Sequence, residues 1–268
     1  MSDTSYPDPG YILGIDLHGT MLDGKWQINR NHEKELLQRL TVVKKHAPVY
    51  ICTGNDYSFV EKYLPESVIK VMSGFVLETG CLIRTEGKQK RLTDQQTVSR
   101  VKQLEQDLKK IKFNQVLYFA RRDTTVSMFT RDEQGGADPQ DLFEQVVPWI
   151  KNSEYQEMFN ITHSSVAVDI IPVGFNKYRG LLELSGGKEI ICIADSRNDL
   201  TMISNADYSF VPANAYGKLD ILLGDRKMVS IDNNLIDFKQ VVVKSKSAYT
   251  SGVIEILNFL NRNLFHEN

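Results

Sequence analysis

The chain has 268 residues, a formal net charge of −2 and a hydrophobic content of 41%, which is ordinary for a globular protein with a sizeable core. The nearly balanced charge gives no reason to expect a nucleic acid partner. No apolar run approaches the ~20 residues that cross a bilayer, so we expect no membrane association. The polar, proline-rich residues 1–10 are unlike a secretory signal, and we interpret them as a disordered lead-in.

The three cysteines, Cys52, Cys81 and Cys192, do not have the spacing of a metal site. Cys52 and Cys192 lie inside apolar runs of strand length, so we expect buried free thiols. Free thiols are typical of a reducing compartment, and the sequence therefore predicts a cytoplasmic protein.

The first part of the chain alternates predicted strands and helices. An apolar run over 12–15 predicts a strand buried on both faces. The elements predicted next are a helix that begins at Asn29 or Asn31, a strand over 48–53, a helix over 56–64 and a strand over 68–72. This order is typical of βαβ units and a parallel sheet.

The pattern changes in the middle of the chain and then returns. Residues 75–84 predict a hairpin, followed by a helix over 94–111, strands over 115–120 and 125–130, a helix over 139–151 and a strand over 166–171. The α/β alternation resumes with a helix over 177–184, a strand over 189–194, a helix near residue 198, a strand over 208–211 and a helix over 248–264. We therefore predict an α/β fold in which a doubly wound core, residues 1–84 and 175–268, is interrupted by a second domain, residues 85–174.

Polar side chains follow three of the predicted strands. Asp16 ends the first strand, Thr53 the second and Asp195 a late one. The carboxyl ends of parallel strands meet at one edge of such a sheet, where ligands bind. Asp16 could be a nucleophile, a metal ligand or both, and capping of the turn at Gly19 is the alternative.

These residue types suit phosphoryl transfer. The carboxylate of Asp16 could attack phosphorus, and Asp16 and Asp195 could hold Mg²⁺, which prefers oxygen ligands. Thr53 and the backbone at Gly54 could donate hydrogen bonds to phosphoryl oxygens. Lys177 could supply positive charge to the same oxygens and to Asp16.

Four motifs occur in the order found in the haloacid dehalogenase superfamily, and the chain resembles its Cof-type sugar-phosphatase branch. The family's D-x-D-G-T motif is similar to Asp16-Leu17-His18-Gly19-Thr20, and the later motifs match Thr53-Gly54, Lys177 and Asp195-Ser196-Arg197-Asn198-Asp199. Weaker similarities to the branch are Glu78-Thr79-Gly80, Asp169-Ile170-Ile171-Pro172 and Val211-Pro212-Ala213-Asn214-Ala215.

The resemblance implies a Rossmann-like core with an inserted α/β cap, and a Mg²⁺-dependent phosphatase that forms an aspartyl-phosphate. The implied partner is a small phosphorylated metabolite, such as a sugar or polyol phosphate, bound by a monomer or homodimer. The implied catalytic residues are Asp16, His18, Thr53 and Lys177. The implied phosphate-binding residues are Thr53, Gly54, Asn55, Lys177 and Asn198. The implied metal ligands are Asp16, the backbone carbonyl of His18, Asp195 and Asp199.

Two positions depart from the family pattern. His18 replaces the family's second aspartate, its general acid/base, and Asn55 stands where an arginine is common. His18 could be the acid/base itself, because its ordinary pKa of about 6.5 suits proton transfer near neutrality. Alternatively, His18 could mark slow hydrolysis of the aspartyl-phosphate, or a reaction other than phosphate hydrolysis. A phosphomutase and a catalytically weakened ligand-binding protein are therefore the competing hypotheses.

The middle domain carries no motif that identifies a substrate. The run Arg121-Arg122-Asp123 could face the crevice and bind a second anionic group. Charged residues at strand ends are usually solvated, and we favour that interpretation for this run.

Overall fold

A computed structural model describes residues 10–132, 134–233 and 237–266. Residues 1–9 of the predicted lead-in lie outside this part of the chain. The helices are α1 Arg30–Val43, α2 Tyr57–Tyr63, α3 Glu66–Val71, α4 Gln95–Ile111, α5 Pro139–Lys151, α6 Lys177–Ser185, α7 Leu200–Asn205, α8 Leu219–Leu222 and α9 Tyr249–Asn263. The strands are β1 Tyr11–Asp16, β2 Val49–Cys52, β3 Gly74–Leu77, β4 Leu82–Thr85, β5 Lys88–Arg91, β6 Tyr118–Phe119, β7 Val126–Phe129, β8 Arg131–Asp132, β9 Gly135–Gly136, β10 Phe159–His163, β11 Ala167–Pro172, β12 Glu189–Ile193, β13 Tyr208–Val211, β14 Lys227–Ser230 and β15 Val241–Lys244.

The larger sheet has the order β14-β15-β13-β12-β1-β2-β3-β4-β5 among the described residues. Neighbouring strands from β14 at one edge through to β3 pair in parallel. Strands β4 and β5 add an antiparallel edge next to β3. Strand β1 lies between β2 and β12, and its residues from Ile12 to Asp16 are all buried. The apolar run over 12–15 therefore lies in a strand in the middle of the sheet, where both faces are covered.

Helices cover both faces of this sheet, which gives a three-layer, doubly wound core. On one face, Leu36 and Leu40 of α1 and Leu257 of α9 belong to the same buried cluster as Ile15. On the other face, a second cluster includes Leu181 of α6 and residues of α7 and α8. Within the described residues, none of the helices has the length and hydropathy of a bilayer-spanning segment.

The middle of the chain forms a second, smaller unit. Strands β10, β11, β7 and β6 make an antiparallel sheet, and α4 and α5 pack on it through a separate apolar cluster that includes Leu104, Leu108, Leu142 and Val146. The predicted fold class, an α/β core with an inserted α/β cap, is therefore confirmed. The boundaries predicted at residues 84/85 and 174/175 stay a prediction.

The prediction of a strand over 68–72 is wrong. Residues Glu66–Val71 form α3, and the third parallel strand is Gly74–Leu77, paired with β2. An apolar run of this length does not distinguish a buried strand from one turn of helix. Pro65 occupies the N-cap position of α3, where its fixed φ and missing N–H are compatible with a helix start.

The predicted hairpin over 75–84 is confirmed, since β3 and β4 pair antiparallel with Phe75 opposite Arg84. Its first strand, β3, also pairs in parallel with β2 and so belongs to the parallel part of the sheet. Cys52 and Cys192 are buried and free, as predicted, and Cys81 is buried and free as well.

Candidate active site

The candidate site lies at the carboxyl edge of the central strands of the larger sheet. Asp16 ends β1, Thr53 follows β2 directly, and Asp195 lies two residues beyond β12. All three side chains are buried. Parallel pairing in register brings these three chain segments, which are far apart in sequence, to one crevice.

Lys177, the first residue of α6, joins two of the candidate carboxylates. Its Nζ lies 2.5 Å from Oδ1 of Asp16 and 2.6 Å from Oδ1 of Asp199. The second oxygen of Asp199, Oδ2, accepts hydrogen bonds from the hydroxyl (2.8 Å) and the backbone N–H (3.3 Å) of Ser196. Both oxygens of Asp199 are therefore engaged, and this carboxylate fixes the position of the lysine.

Asp195 is positioned by the turn that follows β1. The hydroxyl of Thr20 donates to Oδ1 of Asp195 at 2.9 Å. Gly19 has φ +76°, and a Cβ built there would lie 2.3 Å from Oδ2 of Asp195, so only glycine fits this turn. Asn214 donates from Nδ2 to the carbonyl of Gly19 at 2.7 Å and accepts from the backbone N–H of Tyr249 at 2.9 Å.

The carboxylates of Asp16, Asp195 and Asp199 form one buried cluster, in which ligand oxygens lie within 4.8 Å of one another. Burial and the Asp199 carboxylate raise the pKa of Asp16 to about 6, although Lys177 opposes the shift. Burial and the two neighbouring carboxylates also raise the pKa of Asp195. Although burial lowers the pKa of Lys177, Asp16 and Asp199 raise it overall. One ammonium group thus balances one of three carboxylates, and a site of hard oxygen donors with this excess negative charge fits Mg²⁺.

Thr53, Gly54 and Asn55 line the same cavity as Asp16 and Lys177. Oγ1 of Thr53 accepts from the backbone N–H of Asn55 at 3.2 Å and from Nδ2 of Asn55 at 3.1 Å. Because the hydroxyl accepts both of these bonds, its own proton is available to a ligand in the cavity. Asn198 also lines the cavity, and its side-chain amide contacts the hydroxyl of Ser196.

His18 is held among aromatic rings. Its ring centroid lies 5.2 Å from that of Trp26 and 4.8 Å from that of Phe59. Burial, followed by the positive charges of Lys177 and Arg122, lowers the pKa of His18 to about 3. The imidazole is therefore neutral near pH 7 in this arrangement. The acid/base role predicted for His18 stays a prediction, but an imidazolium acid is not what this geometry favours.

The smaller unit, which is the cap segment, covers the candidate site. Phe129, Val166, Ala167 and Asp169 of the smaller unit line a cavity of only about 20 Å³ beside Asp16, which is room for one water molecule. A second cavity of about 470 Å³ borders the site at His18, Gly19 and Asp195. Its other lining residues, from both units, include Asp23, Trp26, Arg131, Asp132, Gln134 and Asn214.

Two further contacts between the units were not expected from the sequence. The buried carboxylate of Glu78 accepts from the backbone N–H of Thr124 at 2.7 Å and from its hydroxyl at 2.5 Å. The side chain of Arg122 is 4% exposed and donates to the carbonyl of Gly54 at 3.1 Å. The favoured interpretation of Arg122 as a solvated residue is therefore wrong. The sequence showed the motif around Glu78, but nothing in it indicated that Thr124 of the cap segment would be the partner of Glu78.

The comparisons with known proteins agree with this arrangement. A family model of haloacid dehalogenase-like hydrolases matches residues 13–163 and 139–221. No curated protein sequence matches the chain significantly. Among solved structures, a HAD/COF-like hydrolase from Plasmodium vivax is 17% identical, with a TM-score of 0.65 and coverage of 94% of this chain and 95% of that chain.

Two further structures, one of a phosphatase and one of a protein related to a phosphatase, are similar at the level of the fold. The sucrose-phosphatase from Synechocystis sp. PCC6803, solved with sucrose and phosphate, is 15% identical with a TM-score of 0.63, over 93% of this chain and 98% of that chain. A trehalose-6-phosphate phosphatase related protein is 13% identical with a TM-score of 0.59, over 96% and 100% of the two chains. The family match covers most of the chain and confirms the superfamily predicted from the sequence motifs. The chain belongs to the haloacid dehalogenase-like hydrolases and is an enzyme of that family.

Proposed function

We propose that the enzyme is a Mg²⁺-dependent phosphomonoesterase that uses Asp16 as its nucleophile. The observation that carries this proposal is the contact of Oδ1 of Asp16 with the ammonium group of Lys177, inside the buried cluster with Asp195. A carboxylate that caps a turn needs neither a buried lysine nor a second carboxylate beside it. A carboxylate that attacks a phosphate ester is helped by both.

Each residue then has a stated part in the reaction. An oxygen of Asp16 attacks phosphorus, the bond from phosphorus to the ester oxygen breaks, and the departing oxygen takes a proton from water to leave as the alcohol. The hydroxyl proton of Thr53, the ammonium group of Lys177 and the backbone at Gly54 bind the phosphoryl oxygens. Water then attacks phosphorus in the aspartyl-phosphate and gives its proton to solvent, and the bond from phosphorus to the Asp16 oxygen breaks, which releases inorganic phosphate and restores the carboxylate of Asp16. Asp199 holds Lys177 in place throughout.

The donors that would hold Mg²⁺ are the carboxylates of Asp16 and Asp195 and the backbone carbonyl of His18, whereas both oxygens of Asp199, the fourth predicted ligand, are engaged by Lys177 and Ser196. When bound, Mg²⁺ supplies positive charge that reduces the repulsion between a carboxylate nucleophile and an anionic phosphate ester. Thr20, Gly19 and Asn214 keep Asp195 and its turn in position.

The second cavity supports a small polar substrate. Its volume of about 470 Å³ lies within the ~300–1,000 Å³ usual for small-ligand pockets. Asp23, Asp132 and Gln134 line this cavity together with Trp26, and their hydrogen-bonding groups are suited to the hydroxyl groups of a sugar or polyol phosphate. The cavity beside Asp16 has a volume of only about 20 Å³, which is too small for a phosphate ester. The cap segment must therefore move when substrate enters.

Phosphoryl transfer to a second organic substrate is the competing function, and the environment of His18 favours it. Burial beside Trp26 and Phe59 lowers the pKa of His18 to about 3, so its imidazole is a weak base that is poorly suited to take a proton from attacking water. The aspartyl-phosphate would then persist until a hydroxyl group of another substrate attacks it, as in a phosphomutase.

Phosphate release from a panel of sugar and polyol phosphates tests both functions. We expect release that requires Mg²⁺, stops with EDTA and is absent in Asp16→Asn. Faster consumption of substrate without more phosphate release, after an acceptor sugar is added, would favour transfer. Binding of the phosphate esters to wild type without any turnover would contradict both functions and favour a ligand-binding protein.

A further inference from the structure

Arg122 extends from the loop between β6 and β7 of the cap segment to the candidate site. Its Nε donates to the carbonyl of Gly54 at 3.1 Å, and its Nη2 donates to Oδ1 of Asn55. Its Nη1 lies 3.5 Å from Oδ1 of Asp56. The guanidinium group is thus fixed by three consecutive residues of the loop after β2.

This contact determines which way the side-chain amide of Asn55 points. A guanidinium group has only donors, so Asn55 must turn its Oδ1 toward Arg122 and its Nδ2 away from it. Nδ2 of Asn55 then lies 3.1 Å from Oγ1 of Thr53 and 3.2 Å from Nδ1 of His18.

The orientation of Asn55 in turn determines the tautomer of His18. An amide NH₂ group donates, so Nδ1 of His18 accepts and carries no proton, and the ring proton therefore lies on Nε2. Nε2 is buried and has no hydrogen-bond partner among the described residues. His18 lines both the cavity beside Asp16 and the larger cavity next to it. An unpaired N–H donor therefore belongs to a residue that borders both cavities.

We propose that Arg122 is a positioning residue that acts through Asn55 to keep His18 as its Nε2–H tautomer, so that this N–H donates to the ester oxygen of a bound phosphate monoester. The proposal rests on the proposed function, because it requires an ester whose phosphorus lies at Asp16. His18 keeps its proton throughout, the hydrogen bond stabilises the negative charge that develops on the departing oxygen, and that oxygen takes its proton from water to leave as the alcohol. Because Arg122 belongs to the cap segment, His18 is fixed in this tautomer only when the cap is closed.

The tautomer can be read directly by NMR without substrate, in protein labelled with ¹⁵N in its five histidines. The signals of His18 are assigned by their loss in His18→Gln. In wild type we expect a protonated Nε2 and an unprotonated Nδ1. A protonated Nδ1 in wild type would overturn the proposal without any variant, and independently of whether the enzyme hydrolyses phosphate esters.

Two variants test the relay. In Arg122→Leu the amide of Asn55 is free to rotate, so we expect His18 to become a mixture of tautomers. In Asn55→Asp the carboxylate has no N–H to donate, so we expect Nδ1 of His18 to become protonated. Arg121→Leu is the matched control, because it removes the same charge from the exposed neighbouring residue and should leave the spectrum of His18 unchanged. An unchanged tautomer in both Arg122→Leu and Asn55→Asp would overturn the proposal.

Kinetics provide the second readout. We expect Arg122→Leu to lower kcat by about 10- to 100-fold, the effect of a misplaced catalytic group, with a smaller change in KM. Arg122→Lys, which keeps one donor for Oδ1 of Asn55, should restore part of both kcat and the wild-type tautomer. Loss of kcat in Arg122→Leu with the wild-type tautomer intact would show that Arg122 acts in another way and would contradict the relay.

Discussion

Nζ of Lys177 lies 2.5 Å from Oδ1 of Asp16, and both side chains are buried. The lysine begins α6 and the aspartate ends β1, so the contact exists only because the cap segment returns the chain to the same edge of the sheet. A buried ion pair is weak support for stability in itself, because desolvation opposes its formation. Its presence next to two further carboxylates is better explained by chemistry at this site.

Lys177→Met should abolish activity and also destabilise the protein. Removal of one partner from a buried pair typically costs about 3–5 kcal/mol, and here it leaves Asp16, Asp195 and Asp199 without a counter-charge. Thermal unfolding with and without Mg²⁺ measures this effect. Because the variant has more uncompensated negative charge, Mg²⁺ should raise its Tm by more than it raises the Tm of wild type. An equal rise in both proteins would mean that the cation does not bind at these carboxylates.

Gly19→Ala should weaken Mg²⁺ binding. A Cβ at residue 19 would lie 2.3 Å from Oδ2 of Asp195, so the carboxylate must move, and we expect affinity to fall about 10- to 100-fold, as when support of a ligand is lost. Gly24→Ala in the same loop is the control, because a Cβ there meets nothing within 4 Å. Isothermal titration calorimetry measures both variants, and equal affinities would exclude Asp195 as a ligand.

Thr53→Val should reduce kcat/KM by about 10²–10³, the usual effect of removing one donor to a transition-state oxygen. Thr53→Ser keeps the hydroxyl group and should retain most of the activity. Competition by inorganic phosphate gives an independent measure, and Thr53→Val should bind phosphate more weakly. If Thr53→Val and Thr53→Ser were equally active, the hydroxyl would have no part in phosphate binding.

Glu78→Gln should loosen the connection between the two units. The carboxylate accepts from the backbone N–H groups of Asp123 and Thr124 and from the hydroxyl of Thr124, and an amide NH₂ cannot replace an acceptor oxygen there. We expect the free energy of unfolding to fall by about 1–3 kcal/mol, the cost of leaving a buried group unpaired. Urea denaturation measures this change against Glu61→Gln, whose side chain is exposed. A loss of equal size in both variants would exclude a specific role for Glu78.

Much of the core could be predicted because its signals are local. The run from Ile12 to Ile15 identifies a buried strand. Polar side chains follow this strand and two others, at Asp16, Thr53 and Asp195. Because the carboxyl ends of parallel strands meet at one edge of a sheet, these three residues indicate one functional edge. The lysine and the fourth motif were found because their order matches a known family. None of these inferences requires knowledge of which residues touch.

What could not be predicted depends on contacts between distant residues. Nothing near Arg122 in sequence indicates that its side chain reaches Gly54 and Asn55, 68 and 67 residues away. The strands β14 and β15, at one edge of the larger sheet, were not predicted either, since β14 has no buried residue. The strand predicted over 68–72 failed because burial of Val68 satisfies a short helix as well as a strand.

The most direct measurement of the central claim is chemical trapping of the intermediate. Enzyme incubated with Mg²⁺ and para-nitrophenyl phosphate or glucose 6-phosphate is quenched in acid and reduced with borohydride, which converts an aspartyl-phosphate to homoserine. Peptide mass spectrometry should then find homoserine at residue 16 only, and only when substrate was present. Phosphate release without this modification, or with modification of Asp195 or Asp199 instead, would contradict the assignment of Asp16 as the nucleophile.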